Sequence, residues 1–178
     1  MCIRDSNQSP LIADDYIDQK IWVDSIYNNL TLDEKIGQLF TVWVATKYGE
    51  DEIKHISKLI EQYHLGGLIF SLGNIMDQAI AINKFQKLSK VPLLISMDAE
   101  WGIGMRLDDA FSFPYNMTLG AIENDSLIFQ VGKRIGYHAK RLGVQINFAP
   151  VVDILSLIHI SEPTRQEAIS YAVLGVKK

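Results

Sequence analysis

The feature that most constrains this chain is a couplet that recurs along it: a stretch with apolar residues every three or four positions, then an apolar run too short to be an independent helix. Residues 38–44 are the first such run, rich in β-branched and aromatic side chains. Residues 51–63 place Ile53, Ile56, Leu59 and Ile60 on one helical face, and Gly66-Gly67 stops that pattern before Leu68-Ile69-Phe70. Asn74 stands where a helix cap is needed, ahead of Ile75, Ala79, Ile82, Phe85 and Leu88 at a period near 3.6. Pro92 then introduces the run 93–97, which ends in Asp98. Asn124 or Asp125 is expected to cap a helix through Leu127, Val131, Ile135, Ala139 and Leu142, closed by Gly143 and followed by a strand over 144–152. Upstream, residues 7–29 read as a lead-in helix with Trp22, Ile26 and Leu30 at helical spacing. Thr31-Leu-Asp-Glu34 is a capping box that opens the next helix.

Strands alternating with helices imply βαβ units and a parallel sheet, hence an α/β fold. Four strands in this order fit either a doubly wound sheet or the first half of a (β/α)8 barrel. No G-x-G-x-x-G follows the first strand, and Gly102-Ile-Gly104 lacks the third glycine, so a dinucleotide site is not supported.

The two ends are related through the genetic code. Met1 to Asp5 can be encoded by ATG TGT ATA AGA GAC, and the reverse complement of those codons, read in a shifted frame, gives Ser156-Leu-Ile-His-Ile160. Such an inverted repeat resembles a transposase adapter, so residues 1–6 and 155–178 are expected to be adapter-derived and to have no part in the fold. The segment 7–154 is then expected to be part of a larger domain, because a complete barrel needs about 250 residues.

The formal net charge of −4 gives no footprint for nucleic acid or an anionic membrane. The only cysteine, Cys2, lies in the adapter-like end, so neither a disulfide framework nor a thiolate metal site is expected. No run of about 18 apolar residues predicts a membrane span. His55, His64 and His138 lack H-E-x-x-H spacing and are read as surface or satisfied histidines. Met105 and Met117 are read as gap fillers around the loop after the third strand.

In parallel α/β folds, reactive groups collect at the carboxyl ends of the strands. Asp98 ends the third strand, Glu100 follows two residues later, and Asp153 ends the fourth. Glycosidic cleavage commonly uses two carboxyl groups, which makes Asp98 and Asp153 a candidate acid and nucleophile pair. The alternative is that they cap neighbouring helices or pair with Arg106, and spacing does not separate the two readings.

Four segments together resemble the N-terminal barrel of family 3 glycoside hydrolases: Leu32-Asp-Glu-Lys-Ile-Gly-Gln-Leu39, Leu93-Leu-Ile-Ser-Met-Asp-Ala-Glu-Trp-Gly102, Phe113-Pro114 with Leu119-Gly120-Ala121, and Asn147-Phe-Ala-Pro-Val-Val-Asp153. The motif at Asp98 is similar to the Asp-Gln-Glu-Gly-Gly-Arg pattern of the β-N-acetylglucosaminidase branch and departs from it at Ala99, Trp101 and Ile103. The resemblance implies half of a TIM barrel from a retaining enzyme that hydrolyses terminal β-N-acetylglucosaminyl or β-glucosyl bonds without metal or cofactor. It implies that Asp98 accepts hydrogen bonds from sugar hydroxyls and that Arg106 helps bind the sugar. Glu100, Trp101 and Asp153 are expected to support the site from behind or line its rim, with Trp101 either stacking on a sugar or packing. The nucleophile and the acid/base group are expected beyond residue 154, because the family's Lys-His-Phe-Pro-Gly-His motif has no counterpart here. The chain by itself is therefore expected to be inactive. The resemblance also carries an expectation of export from a bacterial cell. Two other readings stay open: a non-catalytic sugar-binding barrel module, and a different TIM-barrel enzyme.

Overall fold

A computed structural model describes residues 16–150. Four parallel strands run β1 (Thr41–Val44), β2 (Gly67–Phe70), β3 (Leu94–Met97) and β4 (Ile146–Asn147), and they lie side by side in sequence order. The helices are α1 (Tyr16–Tyr27), α2 (Leu32–Gly37), α3 (Gly49–Tyr63), α4 (Ile75–Leu88), α5 (Asn116–Leu119) and α6 (Asp125–Leu142). A sheet that grows strictly in sequence order, with a helix between successive strands, is the arrangement of a (β/α)8 barrel. A doubly wound sheet would reverse its strand order at a switch point. The fold is thus α/β, and the described residues hold three βα units and a fourth strand of a partial barrel.

The strand register explains which side chains are buried. Val42, Leu68 and Ile95 form one row, and Val44, Phe70, Met97 and Asn147 another. The apolar members of these rows meet Ile56 and Ile60 of α3 and Ala81, Ile82 and Phe85 of α4 in a single core. Each large apolar side chain fully buried there contributes about 1.5–3 kcal/mol before entropy is counted. The alternate rows carry Thr41, Gly67 and Leu94, and Trp43, Ile69, Ser96 and Ile146. These point to the other face of the sheet, where Trp43 and Leu94 are exposed.

Helix caps behave as the sequence predicts. Thr31 Oγ1 accepts from the Glu34 amide while the Thr31 amide donates to Glu34 Oε2, which completes the capping box. Asn74 Oδ1 accepts from the Asp77 amide and Asn124 Oδ1 from the Ser126 amide. Gly143 closes α6 in the left-handed region.

Two strands differ from expectation. The first begins at Thr41 rather than at residue 38, because the amides of Gln38, Leu39 and Phe40 turn back onto the carbonyls of Glu34, Ile36 and Gly37. The fourth is the pair Ile146–Asn147 rather than 144–152. The Val144 amide is taken by Ala139 at the helix end, although Gln145 and Phe148 still donate to Ile95 and Met97 of β3. Residues 151–152 lie outside the described residues, as do residues 7–15 of the expected lead-in helix. The described part of that helix, α1, has no buried residue. No helix among the described residues is long and apolar enough to cross a membrane.

Candidate functional site

The site forms in the loop after β3, at the carboxyl end of the sheet. Asp98 and Arg106, eight residues apart, are brought into contact there. Arg106 Nη2 donates to Asp98 Oδ2 at 2.9 Å, and Arg106 Nε donates to the Asp98 carbonyl oxygen, also at 2.9 Å. The guanidinium therefore grips both the side chain and the backbone of one residue, which fixes its rotamer. The Asp98 side chain remains 42% exposed, so part of the carboxylate still faces solvent. Of the contacts that spacing left open, the structure displays the pairing of Asp98 with Arg106.

The backbone beneath Asp98 is held from β4. Asn147 Oδ1 accepts from the Ala99 amide at 2.9 Å, and its Nδ2 donates to the Ala99 carbonyl at 3.2 Å. The side-chain amide continues the strand pairing two residues beyond the end of β3. Sequence reasoning missed this role. The available signal was an asparagine inside an apolar run, since a half-buried amide there needs partners.

The chain turns at Ala99 to Gly102, where the Gly102 amide donates to the Ala99 carbonyl. Gly102 has φ of 90° and ψ of 174°, a conformation that only glycine adopts without strain. A methyl group there would also stand 2.9 Å from the Phe113 ring. The glycine pattern around residue 102 is therefore a tight turn packed under an aromatic ring.

Glu100 is half-buried. Its Oε2 accepts from Asn116 Nδ2 at 3.4 Å, and its amide donates to Met105 Sδ at 3.4 Å. Trp101 is half-buried and packs edge-to-face on Tyr115, with ring centroids 4.7 Å apart. Met105 is half-buried with its Sδ against the Glu100 amide, but Met117 is 91% exposed and fills no gap. Asp153, expected near this site, lies outside the described residues. Among the described residues no group of three or more His, Cys, Asp or Glu side chains is placed to hold a metal ion.

The segment Leu32 to Leu39 is structural and sits at a different place. Glu34 accepts from Lys90 Nζ at 2.8 Å, and this bond, with the Thr31 amide next in weight, holds its carboxyl at about 2 against an ordinary 4.5. Gln38 Nε2 donates to the His64 carbonyl at 2.7 Å. Gly37 and Gly66 let α2 lie against the end of α3. A methyl group at Gly37 would stand 1.8 Å from the Tyr63 carbonyl oxygen, and one at Gly66 would stand 1.9 Å from that of Gln38.

A parallel βα sheet with a carboxylate–guanidinium pair at its carboxyl end has the layout of a barrel enzyme's substrate site. Residues 31–163 match the glycosyl hydrolase family 3 N terminal domain, and the chain belongs to that family. It is 31% identical over 150 residues to a β-N-acetylglucosaminidase/β-glucosidase of Cellulomonas fimi, covering 84% of this chain and 26% of that protein. It is 34% identical over 114 residues to β-hexosaminidase A of Pseudoalteromonas piscicida, covering 57% of this chain and 19% of the relative. The chain thus spans about a quarter or less of the curated relatives it matches. Among solved structures, the β-glucoside phosphorylase BglX bound to 2FGlc superposes with a TM-score of 0.69 at 24% identity. That alignment covers 77% of this chain and 24% of the other.

Proposed function

We propose that the protein of which this chain forms part hydrolyses terminal β-linked sugars, N-acetylglucosamine foremost and glucose second, and that Asp98 and Arg106 bind the sugar whose bond is cut. The observation that carries the reading is the grip of Arg106 on Asp98 at the carboxyl end of β3. A carboxylate fixed in this way and still open to solvent can accept from two neighbouring sugar hydroxyls, which selects one face and orientation of the ring. Family membership and the double activity in the name of the Cellulomonas fimi relative support the choice of sugars.

In this reading the chemistry is retaining. A carboxylate attacks the anomeric carbon, a separate group protonates the leaving oxygen, and water then hydrolyses the glycosyl-enzyme. The chain supplies sugar recognition, while nucleophile and acid/base come from segments that are not among its 178 residues, so by itself it does not turn over substrate. Glu100 supports the Asp98 turn through Asn116, and Trp101 with Tyr115 borders the sugar. Asp153 is assigned to the support of the same site. Residues 1–6 and 155–178 are assigned to adapter sequence, and the family match, which runs to residue 163, overlaps the start of the second segment.

The test is Asp98→Ala in the full-length enzyme, assayed on chromogenic β-N-acetylglucosaminide and β-glucoside. Loss of a charged hydrogen-bonding partner to the sugar is expected to lower kcat/KM by about a hundredfold or more, by analogy with the loss of a preorganised polar contact. Unchanged kcat/KM on both substrates would remove Asp98 from the site.

A further inference from the structure

We infer that Asp109 is a positioning residue for the sugar-binding pair, acting by tying the Arg106 loop to the amino end of α4. The inference rests on the assignment of Asp98 and Arg106 to sugar binding. Three contacts join segments more than thirty residues apart. Asp109 Oδ1 accepts from the Ile75 amide at 2.8 Å, the Asp108 amide donates to the Gly73 carbonyl at 2.9 Å, and Leu107 pairs with Gly73 as an isolated parallel bridge.

The segment so anchored begins at Arg106 itself. Arg106 and Leu107 both donate backbone hydrogen bonds to Ile103, and Leu107 is buried in the core, so the backbone on either side of the guanidinium is fixed. Asp108 and Asp109 are exposed, and beside the Asp108–Gly73 backbone bond the Asp109 carboxylate is the side-chain group that fastens this stretch to α4. The fastening point is well chosen electrostatically. Ile75 is the first residue of the 14-residue helix α4, whose leading amides have no partner within the helix and whose amino end carries partial positive charge. Asn74 takes the Asp77 amide, and Asp109 takes the Ile75 amide from another loop.

The room for this staple comes from Gly73. A methyl group there would stand 2.0 Å from Thr46 Oγ1, so the chain after β2 passes closely over the end of β1 before it meets residues 107–109. The ends of three strands are thereby linked, and Arg106 is held where its fork meets Asp98.

The test compares Asp109→Ala and Asp109→Asn with Asp77→Ala. Asp77 sits on the same first turn of α4, where its carboxylate and amide bond to Asn74 rather than to the Arg106 loop. In the full-length enzyme, Asp109→Ala is expected to lower kcat/KM about tenfold, mostly through KM, because a small displacement of a binding group is costly. Asp109→Asn keeps an acceptor oxygen and is expected to restore kcat/KM to within about twofold. Asp77→Ala should leave it near the parent value. Equal losses in Asp109→Ala and Asp77→Ala would reduce Asp109 to a helix-stabilising residue and overturn the inference, as would an unchanged KM in Asp109→Ala. Amide hydrogen exchange separates this failure from that of the sugar assignment. Faster exchange at Asp108 and Ala110 in Asp109→Ala alone supports the staple even if neither sugar is turned over, whereas unchanged exchange there sinks it.

Discussion

At the scale of single residues, two kinds of position behaved differently. Asp98 and Arg106 were legible as candidates because a carboxylate ending a strand and a nearby arginine are local features, and the structure brings them together. Asn147 and Asp109 were not legible as partners of that pair, because what they bind lies 48 and 34 residues away. No periodicity or cap signal encodes such a contact. Glu34 illustrates a residue whose motif was visible but whose charge partner was not. Its capping role follows from Thr31, whereas its bond to Lys90 bridges 56 residues. The carboxyl titrates at about 2 in the folded chain against an ordinary 4.5. A folded-state value below the unfolded one means that Glu34 contributes stability above the ordinary carboxylate range, and that this contribution is lost as pH falls through it towards the folded value. The melting temperature of Glu34→Gln should therefore lie below that of the parent near neutral pH, and the gap should close as pH approaches about 2. A gap independent of pH in thermal melts would show that the Lys90 bond contributes nothing.

At the scale of elements, helices were read more accurately than strands. A helix carries its own hydrogen bonds, so spacing and caps define it locally, as Asn74, Asn124 and Gly143 show. A strand ends where its neighbour ends. The apolar run from residue 38 looked like strand, but its first three residues close the end of α2 instead, and only Thr41–Val44 pairs with β2. The same closure accounts for the motif around Gly37, where α2 must approach the end of α3 without a side chain between. Gly37→Ala is expected to destabilise the chain by about 3 kcal/mol, since the added methyl collides with a backbone carbonyl that has little room to move. Gly136→Ala is the matched control. No atom lies within 4 Å of the added methyl, so relief of helical glycine should stabilise by up to about 1 kcal/mol. Denaturant midpoints that move equally for both variants would contradict the packing role of Gly37.

At the scale of the whole molecule, fold class was readable because alternation of strand and helix admits few topologies. Sheet order then separated the barrel from the doubly wound alternative. What alternation does not encode is closure. Among the described residues, β1 and β4 are each paired on one side only, and the sheet face away from α3 and α4 carries Trp43 at 45% and Leu94 at 55% exposure. In a closed barrel such side chains fill the interior, and unpaired strand edges are templates for association. The 178-residue chain alone is therefore expected to self-associate, with a mass above that of a monomer in size exclusion with light scattering. A sharp monomer peak with cooperative unfolding would contradict the expectation.

The proposed contribution of this chain, the sugar-binding half of a family 3 glycoside hydrolase site, is tested by steady-state assay of the full-length protein on chromogenic β-N-acetylglucosaminide and β-glucoside, with and without Asp98→Ala. Chromophore release that is lost in the variant is expected, with the better substrate naming the sugar. Full-length protein that binds these sugars but releases nothing would instead mark a binding module, and release that is indifferent to Asp98 would contradict the site described here.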